Sequence, residues 1–309
     1  MAPSESLSPA LVPKRSRFAL RWYSWLFLAA ALSYALAVLM HWDDRGVLWV
    51  VERFQTPAER AQSVWLPSYQ VVIDAKPLPG MEKDEASDIT YNARTGTLFA
   101  VMGKNPFLVE LTLQGDVLRK LPLVGWSNPE AITALDDGRL AIVDERRHLL
   151  ALVSVTAQTQ ALNLADYPQF DLGPSVEQNK AFEAVAWDPL RKQLLLGEER
   201  PVALFNLKMD SAGQVVGLKH RVPSGALDMR NLSALAFDPR TNHRLALSAD
   251  SHLLLEINEA GEQVSFMTLL GGFNGLKDTI PRAEGVAMDD AGTLYVVSEP
   301  NLFYAFKKK

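Results

Sequence analysis

Apolar and polar positions along this chain fall into one pattern that returns five times. A small or acidic group leads into an apolar residue, a turn follows, and an apolar strand then ends at or beside an acid. The pattern reads Ala86-Ser-Asp-Ile, Pro129-Glu-Ala-Ile, Phe182-Glu-Ala-Val, Leu232-Ser-Ala-Leu and Ala283-Glu-Gly-Val. Its second positions are Ser87, Glu130, Glu183, Ser233 and Glu284, so the repeat advances by 43 to 53 residues. A period of roughly 40 to 50 residues with strand-like content predicts propeller blades, one sheet per repeat.

Each repeat has the same internal order. Turn sequences follow the box: Asn92–Gly96, Asp136–Gly138, Asp188-Pro189, Asp238-Pro239 and Asp289–Gly292. There glycine supplies positive φ and proline presets the first turn position. A second strand comes next (Leu98–Met102, Leu140–Val143, Leu194–Leu196, Leu245–Ser248, Leu294–Val297), then a third, and in the first four repeats a fourth. The last repeat runs out at Lys309 without its outer strand, whereas Tyr69–Ala75 is a lone strand pattern ahead of the first box. Pairing the two closes the ring and removes an exposed edge. The expected fold is all-β: a five-bladed propeller of four-stranded blades over residues 66–309. Longer connections at 163–180, 208–230 and 271–282 read as surface excursions at the mouth.

The N-terminal segment has a different pattern. Trp22 to Met40 is an uncharged apolar run, and nineteen helical residues span about 28 Å, near the hydrocarbon thickness of a bilayer. Lys14, Arg15, Arg17 and Arg21 precede it while Asp43 and Asp44 follow, which predicts a cytoplasmic tail over 1–21 and the rest of the chain on the far side. The expected layout is a single transmembrane signal anchor over 22–40 and a linker over 41–65. A cleaved signal peptide with Ala35-Leu-Ala37 as its processing site is the alternative. Within the linker, Val47 to Phe54 is expected on or near the membrane surface.

Composition excludes several classes. The chain has 309 residues, 48% hydrophobic, with a net charge of −5 and no cysteine. Disulfides, thiolate catalysis and cysteine-based zinc sites are ruled out, and no basic stripe marks a nucleic-acid partner.

The chemistry is expected where the first strand of each blade starts and the second ends, because antiparallel neighbours bring both to one mouth of the channel. The second-strand ends are Gly103, Glu145, Glu199, Asp250 and Glu299. Seven carboxylates, Glu130, Glu183, Glu284, Glu145, Glu199, Asp250 and Glu299, should therefore converge and raise one another's pKa unless something neutralises them. Three neutralising arrangements are open: a hard cation with oxygen ligands, for which Ca²⁺ is the best fit; pairing with Lys104, Arg146, Arg147 and Arg200; or hydrogen bonds to backbone amides. Histidine-rich metal chemistry is disfavoured, since His41, His148, His220, His243 and His252 lie outside the boxes.

The final repeat, Ala283 to Phe306, together with Asp144-Glu-Arg and Phe182-Glu-Ala-Val, resembles the SdiA-regulated (YjiK-like) family, an NHL-like propeller group. The resemblance covers about residues 66–306. It implies a five-bladed propeller held outside the inner membrane of a Gram-negative bacterium, in the periplasm. It also implies a calcium site carried by Glu130, Glu183 and Glu284, with Glu145, Glu199 and Glu299 as further ligands. The expected role is a ligand- or protein-binding scaffold whose partner meets the mouth. The alternative is a metal-dependent hydrolase of lactonase or phosphoesterase type, with Asn128, Asn231 and Asn301 as supplementary groups.

Overall fold

A computed structural model describes residues 21–39, 42–173, 182–222 and 229–309, in two units, Met1–Asp43 and Asp44–Lys309. In the first unit the described element is helix α1 (Trp22–Leu39), 18 residues without a charged side chain. Among the described residues no helix is long and apolar enough to cross a membrane.

The second unit is the propeller. Blade 1 comprises β2 (Ala86–Asn92), β3 (Thr97–Met102), β4 (Phe107–Leu111) and β5 (Val117–Val124); blade 2 begins with β6 (Pro129–Ala134), β7 (Leu140–Asp144) and β8 (Leu149–Val153). Between β8 and the outer strand of blade 2, β10 (Gln169–Asp171), the chain crosses back. There β9 (Leu162–Asn163) pairs parallel with β5 and gives blade 1 a fifth strand. Blade 3 is β11 (Phe182–Asp188), β12 (Gln193–Glu198), β13 (Ala203–Lys208) and β14 (His220–Val222). Blade 4 is β15 (Ala234–Asp238), β16 (His243–Ser248), β17 (Leu253–Ile257) and β18 (Gln263–Thr268). Blade 5 is β19 (Ala283–Met288), β20 (Leu294–Ser298), β21 (Leu302–Lys308) and, as its outer strand, β1 (Tyr69–Pro77).

The expected closure is present. Strand β1 pairs antiparallel with β21 from Tyr69↔Lys308 to Pro77↔Leu302. The inner strands β2, β6, β11, β15 and β19 contact one another in sequence around the axis, with β19 returning to β2.

Alternation builds the core. Successive strand residues face opposite sides, so in β12 Leu194 and Leu196 pack against blade 2 while Leu195 packs against blade 4. Five apolar clusters result, one per blade interface. On the axis Ile89, Ile132, Val185, Leu235 and Val286 are all buried.

The linker docks on the propeller. In helix α2 (Trp42–Phe54), Leu48 is buried in the cluster between blades 3 and 4, and the Glu52 carboxylate accepts the Phe266 amide at 2.8 Å. Buried Glu256 then accepts the amides of Val64 and Trp65 and the Ser265 hydroxyl. Val47, Val50 and Phe54 remain exposed on another face of α2. The excursion at 271–282 is also packed rather than free, with Leu276 and Ile280 buried between blades 4 and 5. Those at 163–180 and 208–230 fall partly outside the described residues.

Candidate functional site: an acidic channel mouth

At the start of four inner strands the ladder slips by one residue. The register jumps from Ala86 to Asp88, Pro129 to Ala131, Phe182 to Ala184 and Ala283 to Gly285. The residue skipped each time is the second of the box: Ser87, Glu130, Glu183 or Glu284. A bulge leaves its extra residue unpaired and re-aims the side chain, so these groups can turn to the mouth rather than into a blade interface. In blade 4 the strand begins one residue after Ser233, whose amide bonds the Leu247 carbonyl.

The structure brings the expected carboxylates into one electrostatic neighbourhood. Burial pushes the Glu183 carboxyl up to about 9, reinforced by Glu199, Glu145, Glu130 and Glu284. Burial likewise raises Glu130 to about 7; Ser87 hydrogen bonds to it and opposes the rise, while Glu145, Glu284 and Glu299 add to it. Glu284 is raised by burial, against a hydrogen bond from Ser233 and the charge of Arg282. Glu299 is raised by burial and held back chiefly by Arg282.

The two serines in the box series thus have a role. Ser87 serves the glutamate of blade 2 and Ser233 that of blade 5. Glu183 lies between them in blade order, and no hydrogen bond or ion pair joins it to another described residue. Its proton is accordingly the hardest of the three to remove.

Arg282, immediately before the last box, bridges Glu284 at 3.2 Å and Glu299 at 3.1 Å. It was not among the expected cations, although its place just outside the strand start put it within reach. Of the expected ones, Lys104 pairs with Glu85 at 2.6 Å and Arg147 with Asp144 at 3.9 Å, whereas Arg200 does reach two of the mouth carboxylates. Arg200 holds Asp250 and lies 3.5 Å from Glu199. Arg200 therefore stands between Asp250 and Glu199, as Arg282 does between Glu284 and Glu299.

Gly103 stands where the other blades carry an acid. A Cβ there would lie 2.7 Å from Ser87 Oγ, 3.0 Å from Glu130 Oε1 and 3.3 Å from Asn128 Oδ1, so three oxygens crowd the space that glycine leaves. Asn128 also donates to Glu145 at 3.0 Å. Of the other two asparagines, Asn231 bonds Ser233, Ser248 and the Asp250 amide and so reaches the mouth only through Ser233, and Asn301 donates to the Leu78 carbonyl.

The donor set is chemically that of a hard cation: carboxylate, hydroxyl and amide oxygens without sulfur or imidazole. Among the described residues, however, no group of three His, Asp or Glu side chains is gathered closely enough to hold a metal ion.

One buried acid on the axis escaped the sequence reading. Asp88, the third residue of the first box, is fully buried and accepts amides from three blades: its neighbour Ile89, Ile132 of blade 2 (2.8 Å) and Val286 of blade 5. Burial pushes its carboxyl up while those amides oppose the shift. Gly285 permits the approach, since a Cβ there would lie 2.7 Å from backbone atoms of Asp88 and Ile89.

Fold and mouth together define a closed five-bladed β-propeller with an acidic channel entrance. The SdiA-regulated family model matches residues 61–307, and the chain belongs to that family. Among solved structures it is similar to a streptogramin B lyase at 13% identity and a TM-score of 0.40, over 75% of this chain and 68% of that one. A similarity at that level carries no argument about activity.

Proposed function

We propose that this protein is a membrane-tethered binding module whose acidic mouth takes a divalent cation, calcium, and presents it with the surrounding loops to a ligand or protein. The observation that carries the reading is Glu183. A partly buried carboxylate with no partner among the described residues, beside four other glutamates, is costly as an anion and is relieved either by a proton or by a cation. Glu130, Glu183 and Glu284 are the primary oxygen donors in this reading, and Glu145, Glu199 and Glu299 the outer ones. Calcium suits them because it accepts loose, oxygen-only coordination of six to eight ligands. Binding it requires the carboxylates to give up their protons.

The hydrolase reading gains nothing specific from the site, since two of its three asparagines are committed to the blades. The tether rests on α1, whose charge-free surface exposes Trp22, Phe27 and Tyr34, and on the Lys/Arg cluster that precedes it. In this reading the propeller lies in the periplasm. Carbonate extraction of membranes tests this: the full chain should stay with the pellet, and a chain lacking residues 1–41 should be released.

Thermal melts test the cation. A ligand at a hundred times its dissociation constant stabilises by about 2.7 kcal/mol. The full chain stripped with EDTA should gain stability with calcium, and much less with magnesium. No gain with any divalent cation in metal-free protein contradicts the reading.

A further inference from the structure

The channel has a second mouth, where the inner strands end. Two residues past the second box position, Ile89, Ile132, Val185, Leu235 and Val286 are buried around the axis. Four residues past it stand Tyr91, Ala134, Trp187, Phe237 and Met288, about 13 Å from the acidic ring at 3.3 Å per residue. These residues line a cavity of about 240 Å³. That is roughly eight waters' share of liquid volume, room for one ring with a short substituent. Three aromatic faces and a thioether converging on a closed apolar floor are typical of a small-molecule pocket.

Charge narrows the class. Arg94, Asp136 and Asp290 also line the cavity. Both acids have donors of their own: Asp136 accepts the Trp187 indole N–H at 2.8 Å and pairs with Lys192, and Asp290 faces the Tyr91 hydroxyl at 3.4 Å. Arg94 is held in place, with its amide on Asn92 Oδ1 at 3.0 Å and its stem against the Gly138 turn of blade 2. Among the described residues, no side chain accepts from its guanidinium. We infer that this second mouth binds a small aromatic carboxylate, its ring against Trp187, Tyr91 and Phe237 and its carboxylate on Arg94. A guanidinium presents paired donors matched to a carboxylate, and the two acids at this mouth are engaged, Asp136 by Trp187 and Lys192 and Asp290 by Tyr91.

Calorimetric titration of the full chain with benzoate, benzyl alcohol and benzylamine tests the assignment, each with EDTA and again with calcium so that the outcome is independent of the metal. Benzoate should bind saturably at one site and the alcohol about tenfold more weakly, the factor expected for one lost charge-assisted hydrogen bond. Arg94→Gln, at an exposed position, should bring benzoate down to the level of the alcohol and leave the melting temperature unchanged. Trp187→Ala should remove binding of both, with a melt confirming that it folds. Absence of saturable benzoate heat, benzylamine binding as tightly as benzoate, or benzoate affinity untouched by Arg94→Gln would each overturn the inference.

Discussion

Replacing Asp88 by alanine probes how the ring is held shut. Alanine already stands at this place in blades 2, 3 and 4 (Ala131, Ala184, Ala234), so the strand itself tolerates the change. What disappears is the acceptor shared by Ile132 of blade 2 and Val286 of blade 5. Each buried amide left without a partner costs about 1–3 kcal/mol, so two inter-blade amides amount to roughly 2–6 kcal/mol. For a domain of this size, a loss of that magnitude lowers the melting temperature by roughly 5–20 °C. Differential scanning calorimetry of the metal-free protein reads it directly. Asp88→Asn, which keeps one carbonyl oxygen, should fall between wild type and alanine. An unchanged or raised melting temperature for Asp88→Ala would refute the reasoning. It would mean that desolvating the carboxylate outweighs its three hydrogen bonds.

Other substitutions and conditions separate the parts of the account. Gly285→Ala should destabilise by about 1–3 kcal/mol or more in a urea melt, because the new Cβ meets backbone that has no rotamer to yield. For pH, burial pushes the Glu130 and Glu183 carboxyls up to about 7 and about 9, above the ordinary 4.5, so the folded chain holds protons that the unfolded chain releases. Their contribution is greatest below about pH 4.5 and is lost as pH rises through 7 and 9. Metal-free melting temperatures should fall across that window, and calcium should flatten the slope. Arg282→Ala removes the cation between Glu284 and Glu299, so it should lower metal-free stability at pH 8 and tighten calcium binding, both read by melts with and without the ion.

Much of this architecture is legible in the chain because propellers repeat their grammar. The box, the turn and the strand lengths recur, and the lone strand Tyr69–Ala75 matches the gap left by the last repeat. What repetition hides is where one blade differs from the others. Asp88 occupies a position that is alanine or glycine elsewhere, and its meaning depends on amides supplied by blades 2 and 5, which no local pattern displays. The bulges that aim Glu130, Glu183 and Glu284 are register events, visible only once β7, β12 and β20 are paired. Arg282 lies outside any strand and acquires its role from two acids that the fold brings to it. The docking of α2 was likewise illegible. Leu48 looks like any apolar residue of an amphipathic stretch until blades 3 and 4 offer the groove that buries it.

Direct calcium titration by calorimetry, on the metal-free full chain and on Glu183→Gln, tests the central claim most closely. One site per chain is expected, with selectivity over magnesium, protons released on binding in the neutral-to-alkaline range, and at least about tenfold weaker binding in Glu183→Gln for the one lost charged ligand. Absence of calcium heat in the wild type, or equal affinity in the variant, would contradict it and leave the carboxylates at the mouth as protonated, hydrogen-bonded elements of the channel wall.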